Sequence, residues 1–184
     1  FNGPCLCQLS VTDYIRKKDK KPFKQEEYFS NPEAFQSNFD MFSDKTDILI
    51  NAAYWDPRSP RLFEEDDINE NFKPKIIGDI SCDINGAIPC TKKASTIEKP
   101  FFDYCIKTKK IEEPFNKEDN ITIMSIDNLP SELPRDSSRY FGNILVEKIL
   151  PLLSLEGNEI IENATITKNG ELTEKFKYLS DYIV

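Results

Sequence analysis

The chain has 184 residues, of which 39% are hydrophobic and 11% aromatic, and its formal net charge is −8. A chain of this length can bury one good hydrophobic core, so we expect one main domain. The negative charge argues against DNA or RNA as a partner, because nucleic-acid binding needs a positive surface. No apolar run approaches the roughly 20 residues that cross a bilayer, so we expect no membrane partner either.

Cysteine and histidine usage limits the chemistry that this sequence can supply. No histidine is present and no CxxC pair is formed, so we expect no metal site; the cysteines are Cys5, Cys7, Cys82, Cys90 and Cys105. Free thiols fit a reducing compartment, and we expect the cytoplasm, with the mitochondrial matrix as the alternative. Without histidine, an acid–base step near neutral pH needs a perturbed carboxylate, lysine, cysteine or tyrosine, or a group from elsewhere.

The first predicted elements are short. Residues 5–11 are predicted as a strand and residues 14–22 as a charged loop. Residues 24–40 hold aromatic side chains at helical spacing, and Asn31-Pro32 interrupts the pattern. Because asparagine caps helices and proline suits their first position, a new helix is expected to begin there.

Three apolar stretches rich in β-branched residues predict the strands of a sheet: residues 46–54, 74–82 and 121–126. A proline-rich loop (55–61) and a short acidic helix (62–72) are predicted between the first two. Strands that alternate with helices indicate an α/β fold with a parallel sheet.

The connection from the second to the third of these strands is less regular. Asn85-Gly86 is a strong turn signal, and residues 87–102 are predicted to be extended. Residues 102–111 are predicted to form either a strand pair or a loop.

The third strand is followed by a turn and a long helix. Pro130 lacks an N–H group and Asp127-Asn128 favours turns, so the strand cannot continue. Ser131 or a neighbour is expected to cap a helix whose first turn contains Pro134 and Asp136. Apolar residues at helical spacing predict that one face of this helix is buried; they are Phe141, Ile144, Leu145, Ile149 and Leu152. Beyond it, Asn169-Gly170 predicts another turn.

Polar clusters follow all three strands, at residues 51–54, 81–83 and 127–128. Parallel strands place such ends along one edge of the sheet, which is where ligands bind in open α/β folds. Each cluster also has a structural interpretation: Asp83 could bond its own turn, Cys82 could fill the core, and Asp127-Asn128 could cap a helix.

Three blocks carry a family resemblance over nearly the whole chain: TDILINAAYWDPRSPRL (46–62), IGDISCD (77–83) and SIDNLPSELPR (125–135). In this order they resemble lysine-forming saccharopine dehydrogenases and the lysine-ketoglutarate reductase half of bifunctional aminoadipic semialdehyde synthase. More distantly, they resemble alanine dehydrogenase and the related transhydrogenase subunit.

The resemblance implies a Rossmann-like nucleotide-binding domain, of which residues 1–153 are the latter part and residues 154–184 a return segment toward a catalytic domain. It implies reversible, reductive condensation of lysine with 2-oxoglutarate to saccharopine, with NAD or NADP as cofactor. The direction, biosynthetic or degradative, is left open, as is assembly into a homo-oligomer.

The resemblance also assigns site residues. It implies that Tyr54 and Ile80 line the dinucleotide site, together with a loop that closes over the nicotinamide end, formed by Asp127, Asn128, Leu129 and Pro130. Ser81, Cys82 and Asp83 are implied where the substrate meets the nicotinamide. As catalytic residues it implies Asp83, Asp127 and Asn128, of which Asp83 and Asn128 match active-site residues of the alanine dehydrogenase relatives.

The family has a glycine-rich loop that binds the pyrophosphate. This sequence has no counterpart of that loop, because the glycines of the sequence form no GxGxxG motif. The lysine and histidine that perform acid–base work in the family are implied in a separate, N-terminal catalytic half. We therefore expect a fragment, a split subunit or a decayed copy. Two further hypotheses are alanine dehydrogenase-like chemistry and a non-catalytic, truncated module that binds a partner.

Overall fold

The computed structural model describes residues 3–182, which form two units, residues 3–129 and 130–182. The first 45 residues contain only short elements: α1 (Val11–Tyr14), β1 (Ile15–Lys17), α2 (Gln25–Ser30), a 3₁₀ turn (Pro32–Ala34), β2 (Phe35–Ser37) and α3 (Asp40–Ser43). The turn confirms that a helical segment begins at Asn31-Pro32, although it is 3₁₀ and ends after three residues.

The strand predicted over residues 5–11 is wrong. The strand forms instead at β1, inside the predicted charged loop, and pairs antiparallel with β2. Ile15 and Lys17 lie on the same, buried side of it, at 2% and 7% exposure. The Lys17 ammonium can be buried because its Nζ lies 2.5 Å from Oε1 of Glu27.

A five-stranded mixed sheet organises the first unit. Its strands lie in the order β3 (Ile48–Asn51), β4 (Ile76–Asp79), β7 (Ile121–Met124), β5 (Phe101–Cys105) and β6 (Lys110–Glu112). The first three are parallel to one another, and the β5–β6 hairpin adds antiparallel to β7. The predicted α/β class and the three predicted strands are confirmed, and of the two alternatives for residues 102–111 the strand pair is correct.

The helix predicted over residues 62–72 is wrong, because only Glu65–Asp67 form a 3₁₀ turn there. Its apolar residues are nevertheless buried: Leu62, Phe63, Ile68 and Phe72. Backbone pairing to a distant segment competes with the helix, since Leu62 N donates to Ala87 O at 3.0 Å. A carboxylate closes the turn, since Oδ2 of Asp67 accepts from Glu64 N at 2.7 Å.

The core of this unit lies on one face of the sheet. Leu49, Ile77 and Ile123 project from β3, β4 and β7 into a cluster that includes an aromatic pair, Phe63 and Phe72, with ring centroids 4.8 Å apart. Strand alternation sends the intervening residues of β3 to the other face. There Ile48 and Ile50 remain 59% and 64% exposed.

The second unit is helical, apart from one small hairpin. Its helices are α4 (Leu129–Glu132, which begins in the first unit), α5 (Pro134–Ile144), a π-helical turn (Leu145–Ile149), α6 (Leu150–Leu153) and α7 (Glu159–Ala164). They precede β8 (Thr167–Lys168), β9 (Glu171–Leu172) and a 3₁₀ segment (Glu174–Tyr182). The predicted Asn169-Gly170 turn is confirmed between β8 and β9, with φ of 55° and 85°. None of these helices, as far as the structure describes them, is long and apolar enough to cross a membrane.

Helix α5 begins as predicted, with Pro134 in its first turn, but its cap is Leu133 rather than Ser131 and provides no side-chain hydrogen bond. The predicted buried face is wrong. Phe141 is 65% exposed and Ile144 37%, and Leu145, Ile149 and Leu152 are only half-buried. The two units do not test the family boundary expected between residues 153 and 154, which stays a prediction.

Candidate active site

The carboxyl ends of β3, β4 and β7 lie side by side, as the sequence predicts. Ile50 is in register with Gly78, and Gly78 with Met124, so the polar segments that follow these strands leave the same edge of the sheet. Two further bonds hold this edge together. Ile80 N donates to Asn51 O at 2.8 Å, which continues the β3–β4 ladder beyond Asp79. Ser95 N donates to Ser125 O at 2.8 Å, which adds the segment around Ser95 alongside β7.

A buried carboxylate lies beneath this edge. Asp79 is 1% exposed and accepts two side-chain hydrogen bonds. Oδ1 accepts from Asn51 Nδ2 at 2.9 Å, and Oδ2 accepts from Thr91 Oγ1 at 2.6 Å. Both partners are themselves buried, so this carboxylate is satisfied by neutral donors rather than by water.

The segment after β4 carries the predicted substrate residues Ser81, Cys82 and Asp83. The Ser81 hydroxyl donates to Ala53 O at 2.7 Å, which attaches the segment to the end of β3. Cys82 adopts a left-handed backbone with φ of 53°, and its thiol donates to Ser125 O at 3.1 Å, which attaches the segment to the end of β7. Local strain of this kind is sustained only where surrounding bonds hold it.

Asp83 opens the predicted Asn85-Gly86 turn, which the structure confirms. Gly86 N donates to Asp83 O at 2.8 Å, and Asn85 has a φ of 54°. A Cβ atom on Gly86 would lie 2.4 Å from the Cβ of Asp83, so only glycine fits there. In the described chain no hydrogen bond reaches the Asp83 carboxylate from its own turn. The Asp83 side chain is half-buried at the sheet edge. Both of its carboxylate oxygens can therefore accept hydrogen bonds from a ligand.

Three carboxylates lie at this edge, those of Asp79, Asp83 and Asp127. Burial, and then the charge of Asp79, raises the pKa of the Asp83 carboxyl. Burial also raises the pKa of the Cys82 thiol, as do the nearby carboxylates of Asp127, Asp79 and Asp83, in that order. Further negative charge is therefore disfavoured at this edge of the sheet.

Asp127 and Asn128 follow β7 and are both exposed. Asn128 has a φ of 53°, a conformation that asparagine tolerates better than most residues. Neither residue caps α5, which begins at Pro134, and among the described residues neither side chain bonds the backbone of α4. Asp127 is close enough to raise the pKa of Cys82, so the structure brings it together with the segment after β4.

The remaining predicted residues contribute less to this cluster. The side chain of Tyr54 is 91% exposed, and that of Ile80 is 39% exposed. Leu129 is half-buried at the start of α4. Pro130 is the first residue of the second unit.

Comparison with known proteins places the chain. The model of the family described as "Alanine dehydrogenase/PNT, C-terminal domain" matches residues 11–175. The chain belongs to this family. The predicted resemblance is therefore confirmed, and the mixed, mostly parallel sheet is the nicotinamide-dependent dehydrogenase fold of an alanine dehydrogenase/PNT C-terminal domain.

The proteins to which the chain is similar include enzymes of two names. It is 32% identical over 199 residues to the mitochondrial alpha-aminoadipic semialdehyde synthase of Mus musculus, covering 93% of this chain and 21% of that protein. It is 30% identical to alpha-aminoadipic semialdehyde synthase of Arabidopsis thaliana, over 94% of this chain and 17% of that protein. Saccharopine dehydrogenase [NAD(+), L-lysine-forming] of Schizosaccharomyces pombe is 28% identical, over 61% of this chain and 29% of that protein. The chain thus spans less than a third of each.

In this alanine dehydrogenase/PNT C-terminal domain, several residues that shape the edge escaped the sequence analysis: Asp79, Thr91, Ser95 and Ser125. Asp79 had a recognisable signal, since it is a carboxylate inside an apolar run predicted to be buried. No sequence signal marked Thr91 or Ser95. Their role depends on the path of residues 87–95, and the sequence predicts only that this segment is extended. Among residues 3–182 no group of three or more cysteine or acidic side chains is arranged to hold a metal ion.

Proposed function

We propose that this chain is the nicotinamide-binding part of an oxidoreductase that condenses lysine with 2-oxoglutarate to give saccharopine, and catalyses the reverse reaction. One observation carries the proposal. A chain similar over 93% of its length to the mouse semialdehyde synthase presents Ser81–Asp83 and Asp127 together at the edge where α/β sheets bind ligands.

The residues at this edge have roles in the proposal. Tyr54, Ile80 and the segment from Asp127 to Pro130 contact the dinucleotide. Ser81, Cys82 and Asp83 face the substrate beside the nicotinamide. The half-buried Asp83 carboxylate, with no hydrogen bond from its own turn, fits an amine or carboxamide N–H group of a bound ligand.

The proposed reaction joins the lysine amine to the keto carbon of 2-oxoglutarate with loss of water, and the resulting imine is reduced. The reduced nicotinamide supplies the hydride. Asp83, Asp127 and Asn128 of this chain orient the reacting groups. Acid–base groups come from the catalytic half, which we propose is N-terminal to residues 1–153 in the natural polypeptide, with residues 154–184 returning toward it.

The names of relatives guide the finer assignments. The fungal relatives are named for NAD(+), which favours NAD over NADP as the cofactor here. The mouse and rat relatives are named mitochondrial, which favours the matrix over the cytoplasm. A homo-oligomer is a further arrangement that size measurement on the natural protein would establish.

A coupled assay tests the proposal. The natural polypeptide that carries this sequence is purified and supplied with lysine, 2-oxoglutarate and either NADH or NADPH. We expect oxidation of the cofactor only when both substrates are present, and saccharopine as the product by mass spectrometry. If neither cofactor is consumed with both substrates present, the proposal is wrong.

The family description favours a second candidate, an alanine dehydrogenase-like activity. Pyruvate and ammonium replace lysine and 2-oxoglutarate in the same assay. Consumption of the cofactor with this pair alone would assign the chain to that activity. Binding of a protein partner by a natural polypeptide that binds neither cofactor would instead favour the non-catalytic module.

A further inference from the structure

Asp79 occupies an unusual place for a carboxylate. It is 1% exposed, and its two hydrogen-bond donors, Asn51 and Thr91, are 7% and 0% exposed. Among the described residues, no lysine or arginine forms an ion pair with it. A buried charge without a cation is costly to folding, so its presence calls for a reason.

The hydrogen bonds of Asp79 reach both ends of the loop that carries Ser81–Asp83. On one side, Asn51 binds Asp79 and also directs its Nδ2 toward Ser81 Oγ, at 3.4 Å. On the other side, Thr91 binds Asp79 while its carbonyl oxygen accepts from Asn85 N at 2.8 Å. One carboxylate thus joins the end of β3, the end of β4 and the point where the loop closes.

Hydrogen bonding alone does not require a carboxylate here. An asparagine of the same shape would accept from Asn51 with its oxygen and donate to the Thr91 hydroxyl with its nitrogen. What the asparagine would lack is the negative charge. That charge acts on Asp83 and on Cys82, the two titratable groups of the loop.

We propose that Asp79 is the positioning residue of this site: its two hydrogen bonds fix the Ser81–Asp83 loop against β3. The expected effect on catalysis rests on the proposed function. The positioning of the loop by Asp79 can be measured whether or not the protein has that function. The groups that face the loop are Asp79 from β4, Asp127 after β7, and Lys92, which is held by Glu65 and Asn85.

The first readout is the reactivity of Cys82, which does not depend on any activity. Alkylation of Cys82 in the natural polypeptide is followed against pH by mass spectrometry of the peptide that contains it. Because Asp79 disfavours the Cys82 thiolate, Asp79→Asn should move the midpoint of alkylation to lower pH. An unchanged midpoint in folded protein would overturn the role of the charge.

The matched control is Asp103→Asn. Asp103 is also fully buried and also accepts from a threonine hydroxyl, Thr122 Oγ1 at 2.7 Å, but its partners Thr122 and Asn120 lie at the opposite end of β7. This variant should leave the Cys82 midpoint where it is. A shift of equal size in both variants would mean that general loosening, and not Asp79, sets the reactivity.

The second readout is kinetic. Asp79→Asn should shift the acidic limb of the pH profile of kcat/KM to lower pH, since Asp83 would lose its proton more easily. Thr91→Val keeps the charge and removes one bond, and should raise KM about tenfold with little displacement of the profile. If wild-type protein shows no dehydrogenase activity while the Cys82 midpoint still moves in Asp79→Asn, the proposed function fails and the positioning stands. Normal activity with unchanged kinetics in both variants would refute the catalytic consequence of the positioning.

Discussion

Gly86 packs so tightly against Asp83 that it leaves no room for a larger side chain. A methyl group on Gly86 would lie 2.4 Å from the Asp83 Cβ and 2.9 Å from its carbonyl oxygen. Contacts this short force the backbone to move, and the side chain that moves belongs to the candidate site. Close packing of a turn therefore fixes the position of a carboxylate.

Gly86→Ala should lower the free energy of unfolding by about 1–3 kcal/mol, because overpacking displaces the turn. It should also weaken binding of the substrate, since Asp83 moves with the turn. Chemical denaturation and titration calorimetry measure the two effects. Gly142→Ala is the control: a Cβ there meets nothing within 4 Å, and alanine favours helix α5, so stability should rise and affinity stay constant. Equal affinities for both variants would contradict the assignment of Asp83.

Asp83→Asn should separate stability from activity. The fold raises the pKa of Asp83, so its contribution to stability is complete below its usual pKa and is lost as pH rises through the raised value. At pH 7 the free energy of unfolding of the variant should therefore be slightly larger, by about 0.5 kcal/mol or less after solvent screening, and show no gain at pH 3. Activity should fall steeply. A variant that is less stable at pH 7 would disprove the electrostatic account.

At the scale of elements, the sequence predicts those that combine local preference with burial. The residues of β3, β4 and β7 are apolar and largely β-branched, so strand preference and burial agree. Over residues 62–72 local preference and burial conflict. Phe63 and Phe72 are buried, but through tertiary contacts that a helix would not make. In α5 the helix was predicted correctly and its burial was not. The helical spacing of Phe141 and Ile144 indicates a helix, but it does not indicate which part of the molecule covers that face.

The β5–β6 hairpin depends on one buried carboxylate. Asp103 accepts from Thr122 Oγ1 at 2.7 Å and from Phe115 N and Asn116 N at 3.1 and 3.3 Å, which ties the loop after β6 to the sheet. Asp103→Ala should cost about 2–4 kcal/mol of stability, because it leaves buried donors without acceptors. Denaturant titration gives the value. Since the hairpin lies away from the strand ends, dinucleotide affinity should be unchanged; a loss of affinity without a loss of stability would contradict this.

At the scale of the whole molecule, three ordered blocks identify the family, and the family supplies the fold class. The position of a site at the strand ends also follows from the sequence, because the polar clusters at 81–83 and 127–128 come directly after apolar runs. The bonds that assemble the edge do not follow from it. Asn51, Asp79 and Thr91 are far apart in sequence, and only the folded chain shows that they meet.

Binding of the cofactor by the natural polypeptide should raise its unfolding temperature. A ligand at one hundred times its Kd stabilises by about 2.7 kcal/mol, so NADH titrations followed by differential scanning calorimetry should show a dose-dependent increase. NADPH at equal concentration should give a smaller shift, because NAD is the proposed cofactor. Absence of a shift with both nucleotides would contradict a nicotinamide site. Intact mass of the natural polypeptide, taken from its source cell, shows how much chain accompanies residues 1–184.

Strand β3 stands at one end of the sheet order, with β4 on one side and no described strand on the other. Among the described residues no strand pairs with its outer side, and Ile48 and Ile50 are exposed beside it. Such an edge is a template for adding strands from other molecules. A recombinant polypeptide of residues 1–184 should therefore self-associate, and Ile50→Lys should reduce that self-association in size-exclusion chromatography.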